Sequence, residues 1–163
     1  MVKRDAIALK LDYLERGFDS LQLRIWLGHS MAIRKNVIVL KYSNKTWSCQ
    51  LLAFTYGHAT NVGDEFIATN EIKVITPKSG WDSFIRQLFS FQILTLPDDE
   101  NLAGYNGCGE DGVPYYFEVA TINKYRFYKY CNIEDNKGKF EEATDVDKIA
   151  NLLEGEFSFT YTK

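Results

Sequence analysis

Along much of this chain, apolar side chains recur at every second position. Leu21, Leu23, Ile25 and Leu27 alternate with Gln22, Arg24 and Trp26, the period of a strand that buries one face. Residues 37–42 make a second β-rich run. Ser43-Asn44-Lys45-Thr46 then predicts a tight turn into a third strand at 47–56, with Asn44 suited to a positive φ. A loop over 57–64 and a fourth strand over 66–76, closed by Pro77, complete a meander. Later, 115–120 and 125–131 predict a hairpin around Ile122-Asn123.

Three segments carry the helical period instead. Over 4–16, Ile7, Leu11 and Leu14 share one face and Gly17 follows as a stop. Ser79-Gly80 introduces a second helix, with Trp81, Phe84, Ile85, Leu88 and Phe89 at spacings of three and four. Thr144 is placed to cap a third helix that runs to Glu154, with Val146, Ile149, Ala150 and Leu153 inward and Gly155 as its stop. Phe157, Phe159 and Tyr161 alternate and suggest one more strand. The whole predicts a single α+β domain over 1–163. Its antiparallel sheet has about six strands, a meander plus a hairpin, with helices packed mainly on one face. Wherever the N-terminal helix leaves the other face bare, its aromatic side chains meet a partner, a ligand or water.

Composition adds to this picture in five places. The 163 residues suit one core, and 10 Tyr, 11 Phe and 3 Trp against 2 Met agree with a high strand content. A net charge of −3 without a basic run argues against nucleic acid. No apolar stretch approaches the roughly 20 residues that span a bilayer, so membrane insertion is not expected. The N-terminus carries Lys3 and Arg4 but also Asp12 and Glu15, so the chain reads as cytoplasmic, or as exported with its leader removed. Cys49, Cys108 and Cys131 are odd in number and lack a CxxC spacing, and the reading adopted is three free thiols. A Cys108–Cys131 bridge is compatible with the sequence but not called for by spacing.

Candidate chemistry is sparse. His29 and His58 are the two histidines, no GxSxG elbow presents a serine, and the glycines at 104, 107, 109 and 112 miss a dinucleotide pattern. No cofactor is expected. Residues 98–112 form a long Gly-rich loop with Asp98, Asp99, Glu100, Glu110 and Asp111. These could offer oxygen to a hard cation, but they lack regular ligand spacing, so a hydrated loop without metal is expected. The densest polar–aromatic cluster is Asp111, Tyr116, Glu118, Arg126, Tyr128 and Tyr130, with Tyr125 among them. If the two strands present it on one face, Glu118 and Arg126 pair across the ladder between tyrosines. Tyr and Arg are enriched where proteins bind partners, although tyrosines packed at a sheet edge need no ligand.

Asp111-Gly112, Tyr115 to Glu118, Tyr125-Arg126-Phe127-Tyr128 and Phe140-Glu141-Glu142-Ala143 resemble the C-terminal half of small uncharacterised bacterial proteins, in which such a hairpin precedes a final helix. The resemblance covers about half the chain. It implies an α+β fold and, because many such proteins are exported, a trimmed leader; it implies no activity. The sequence therefore points to a non-catalytic binding or protein-interaction domain for a protein or small ligand, using the 115–131 hairpin and the acidic loop. Two alternatives stand beside it: a small hydrolase or isomerase pairing Glu118 or Asp111 with His29 or His58, and an acidic antidote that blocks a basic toxin.

Overall fold

A computed structural model describes residues 2–27, 34–58, 65–109 and 112–159. It contains one open sheet of six antiparallel strands: β1 Leu21–Leu27, β2 Arg34–Ser43, β3 Thr46–His58, β4 Glu65–Ile75, β5 Tyr115–Thr121 and β6 Lys124–Tyr130. Their spatial order is β4-β3-β2-β1-β5-β6, so the meander and the hairpin meet at β1. The helices are α1 Val2–Ala8, α2 Trp81–Ser90, α3 Ile133–Asn136 and α4 Glu141–Phe157. The α+β fold expected from the periodicity is the fold observed. The β2–β3 turn also has the expected chemistry: Asn44 and Lys45 have φ of 51° and 62°, as a two-residue hairpin turn requires.

The larger core lies between one sheet face and α2 with α4. Leu23, Ile25, Ile38, Leu40 and Phe117 meet Phe84 and Leu88 of α2 and Val146, Ile149 and Leu153 of α4. A second, smaller cluster covers the opposite face, where Val2, Ala6 and Leu9 sit on Trp26, Val37, Val39, Leu52 and Phe54.

This second cluster corrects two expectations. β1 does not bury one face only: Gln22, Arg24 and Trp26, which the alternation assigns to the solvent side, are all buried. The N-terminal helix is also shorter than expected. Lys10, at φ 56°, breaks it, and Leu14–Arg16 forms a separate 3-10 turn. Its buried stripe is Val2 and Ala6, while Ile7, predicted inward, is 66% exposed. Gly17 then turns the chain at φ +89°, with an added Cβ only 2.7 Å from the Ile122 carbonyl oxygen.

The last helix differs at both ends. Thr144 lies inside α4, where its hydroxyl donates to the Phe140 carbonyl and accepts from the Gly138 N–H. Gly155 does not stop the helix, which runs to buried Phe157 and ends at Ser158 in the left-handed region. Phe157 is thus helical rather than part of a final strand, and Tyr161 lies outside the described residues.

Cys108 and Cys131 are joined in a disulfide across 5.1 Å between Cα atoms, leaving Cys49 the free, buried thiol, so three free thiols is not what the fold contains. The cause is the course of the loop after α2. Asp98 accepts from the Lys129 N–H, Asp99 from the Cys131 N–H, and Tyr105 donates to the Cys131 carbonyl. Those bonds strap the loop along β6 and bring the two sulfurs together. Among the described residues, no helix is long and apolar enough to cross a membrane.

Phe84 is wholly buried and touches Phe157 edge-on at 5.1 Å between ring centroids. Phe84→Ala should therefore cost about 3–5 kcal/mol. Ile122→Ala, at a side chain 65% exposed in the β5–β6 turn, should leave the denaturant midpoint nearly unchanged.

Candidate functional site

Strand pairing places the hairpin's polar residues on two different faces. Glu118 lies opposite Phe127 of β6 and Arg24 of β1, whereas Arg126 lies opposite Val119. Glu118 and Arg126 therefore do not pair, because one residue of offset puts them on opposite sides of the pleat.

Arg126, Tyr128 and Tyr130 face the larger core, and each is spent on the chain after α2. The Arg126 guanidinium donates to the carbonyls of Leu94, Thr95 and Leu96. Tyr128 donates to the Ile93 carbonyl and Tyr130 to that of Pro97. Five consecutive carbonyls, 93 to 97, thereby find partners that no helix or strand supplies. Both tyrosines are fully buried. The two tyrosines build the fold rather than a surface, and half-buried Arg126 is engaged by the same segment.

Tyr116 and Glu118 face the other way, into a cleft of about 420 Å³ between the hairpin and the N-terminal segment. Val2, Ala6, Ile7, Leu11 and Leu14 supply one wall, and Tyr116, Tyr125 and Phe127 the other, with Tyr13 at the side of α1. Tyr116 and Phe127 stack at 5.9 Å with 20° between their planes. Lys3 and Glu15 also line the cleft, 2.8 Å apart, and Lys3 and Arg16 each lie over the Tyr13 ring.

Arg24 and Glu118 are the buried charges of this cleft. Glu118 Oε2 accepts from Trp26 Nε1 at 2.8 Å and lies 3.6 Å from an Arg24 nitrogen, and Oε1 accepts from the Tyr125 hydroxyl at 3.1 Å. Burial draws the Arg24 guanidinium below its ordinary value, opposed by Glu118 and Asp12. Burial and the Glu118 charge push the Tyr125 phenol up, so it remains a donor at neutral pH. Arg24 also donates to the Asp12 carbonyl, and the Asp12 carboxylate meets Lys41 at 2.6 Å.

Three buried side-chain polar atoms among the described residues have no hydrogen-bond partner: Arg24 Nε and both carboxamide atoms of Gln22. Both residues belong to the same face of β1. These atoms are out of reach of solvent, so each costs the fold the hydration it has lost.

Both Glu118 oxygens are engaged by donors of the fold itself. The expected partners for acid–base work, His29 and Asp111, lie outside the described residues, as does the side chain of His58. Asp98, Asp99 and Glu100 do cluster closely enough to hold a cation. Yet each already serves the strap: Asp98 and Asp99 accept from the β6 backbone, and Glu100 pairs with Lys129 at 2.5 Å. Glu110, like Asp111, lies outside the described residues.

Sequence reasoning singled out Tyr116 and Glu118, which line this cleft, and passed over Arg24, Tyr13 and Phe127, which line it too. One signal was present: Trp26 stands in the polar row of β1, and a tryptophan there marks a face that something covers. No protein-family model matches the chain, and no curated protein matches it either.

Two measurements probe these groups. Glu118→Ala leaves the Arg24 charge and the Trp26 N–H without their partner, and should cost about 3–5 kcal/mol. An Arg24→Met/Glu118→Leu double variant should lose clearly less than Glu118→Ala in the same denaturant melts, since it removes both charges together.

The second concerns pH. Burial pushes the Asp99 carboxyl up to about 6, with Asp98 adding and the Cys131 N–H opposing. Between its ordinary value and about 6 the folded state then binds more protons than the unfolded state, so this group's contribution to stability falls as pH rises through that window. Asp99→Asn should remove that component. Compared with the parent, its denaturant midpoint should decline less between pH 4 and pH 6, and an identical slope in the two proteins would contradict the assignment.

Proposed function

We propose that this domain is a binding protein whose site is the cleft between α1 and the β5–β6 hairpin. The observation that carries this reading is the combination of apolar and aromatic walls with a few placed charged groups. Small-ligand sites have this constitution: a concave, mostly apolar pocket of roughly 300–1,000 Å³ with a few placed polar groups. The occupant this chemistry suits is a compact molecule with an apolar or aromatic body, held against Tyr116, Tyr125 and Phe127. An acidic group on it would meet the exposed ammonium of Lys3.

A rigid scaffold supports such a role. Tyr116 and Glu118 come from a central strand and Tyr125 and Phe127 from the next, so the groups that would contact a ligand on this side are set by the sheet and not by loops. Only the wall made by residues 2–15 comes from outside the sheet.

Anilinonaphthalene sulfonate has an aromatic body and an acidic acceptor, and serves as a probe. Its fluorescence should rise saturably with one site per chain. Ile7→Trp, which fills the mouth from an exposed position, should weaken binding by about tenfold or more. Val74→Ser, on the far edge strand, should leave it unchanged. If Ile7→Trp binds the probe like the parent, or if Val74→Ser abolishes binding, the cleft is not the site.

A further inference from the structure

The two edges of the sheet are finished differently. At β6 the strap from residues 98–109 covers the C-terminal end of the edge: carboxylates of Asp98 and Asp99 accept the N–H groups of Lys129 and Cys131, and a disulfide ties the loop down. At β4 nothing comparable is present among the described residues. This strand is eleven residues long, contains no proline, pairs only with β3, and is exposed over most of its length. Ile72 and Val74 stand 53% and 79% exposed on it, on the face that carries Leu52. A long edge of this kind is a template for another strand.

We propose that the strand it takes is β4 of a second copy of this chain. The two copies pair antiparallel about a two-fold axis at Ile72, which joins their sheets into one.

The register follows from β4 itself. Its pairing with β3 is regular from Ile75 to Thr69, and a bulge between Thr55 and Tyr56 of β3 shifts it beyond that point. The flat segment available to a partner is therefore 69–75, and its midpoint is Ile72. A two-fold axis perpendicular to the sheet keeps each residue on its own face, so some residue must meet its own copy at the centre. Centring on Glu71 or Lys73 sets like charges directly opposite, which is destabilising. Centring on Asn70 carries the pairing past the bulge and sets Lys73 against Ile67. Centring on Ile72 keeps every pair within 69–75. It places Glu71 opposite Lys73 of the other copy twice and sets Ile72 against its own copy, with Val74 opposite Asn70. The charge pattern of the strand is complementary to itself in that register alone.

Charge reversal tests the register without depending on one variant's folding. The parent should sediment as a dimer. Glu71→Lys alone opposes two lysine pairs and Lys73→Glu alone opposes two glutamate pairs. Each should weaken self-association roughly tenfold, the effect of two cross-strand pairs turned from attraction to repulsion. Mixed in equal amounts, the two variants should recover the parent's association, because every opposed pair in the mixed dimer then joins unlike charges. Three results would overturn the proposal: a parent that stays monomeric at its solubility limit, a dimer indifferent to both substitutions, or a mixture no tighter than either variant alone.

Discussion

Arg24 and Glu118 face each other on neighbouring strands in the middle of the sheet, and burying both obliges the rest of that face to be built around them. Taking two ions out of water is costly unless their remaining hydrogen-bonding capacity is met. Here Trp26 and Tyr125 fill the carboxylate, and the Asp12 carbonyl meets the guanidinium. That last bond requires residues 11–15 to cross the strands at one height, which is consistent with a short α1, a break at Lys10 and a sharp return at Gly17. Gly17 permits the return because its backbone passes too close to Ile122 for any side chain. The N-terminal segment is thus held by polar bonds at its middle and by a small apolar contact, Val2, Ala6 and Leu9, at its start. Between these two attachments the cleft remains.

The two faces of the β5–β6 hairpin divide the work. The face with Phe117, Val119, Tyr128 and Tyr130 belongs to the core, and its hydroxyl and guanidinium groups serve the carbonyls of an irregular segment that would otherwise be buried without partners. The face with Tyr116, Glu118, Tyr125 and Phe127 has no such duty toward α2 or α4 and lines the cleft. A hairpin rich in tyrosine can do both because the ring packs while the hydroxyl reaches a polar neighbour. The same residue type is therefore structural or available according to its parity in the strand.

That parity explains what could and could not be read beforehand. Strand periods, the Asn44 turn and the apolar stripes of α2 and α4 are local, and each was legible in its own segment. The pairing of β1 with β5 was not: it joins residues about 95 positions apart. Without it, Arg24 reads as a solvated strand residue and Glu118 looks to the nearer Arg126 for a partner. The strap along β6 was hidden for the same reason. Asp98 and Asp99 look like a hydrated acidic loop until the β6 backbone is placed beside them, and only then does Cys108 come within reach of Cys131. Trp26 was the one local sign that the polar row of β1 faces something other than water.

The strand order also settles how the cleft and the open edge relate. The cleft draws on β1, β5 and β6, while β4 lies three strands beyond β1 on the other side. At the usual spacing that is roughly 14 Å from β1 to the edge. Association through β4 therefore leaves the cleft unobstructed, and loss of one property need not remove the other. A two-fold axis perpendicular to the sheet also keeps faces on the same side. A dimer built on this edge would carry its two clefts about 40 Å apart along the joined sheet, turned relative to one another by the twist that accumulates over the strands between them. Two weak sites held at a fixed separation would engage a ligand that reaches both more tightly than either alone, because the second contact becomes intramolecular. In that arrangement the unprotected edge is not a defect left beside a well-guarded one. It sets the spacing at which the two clefts are presented.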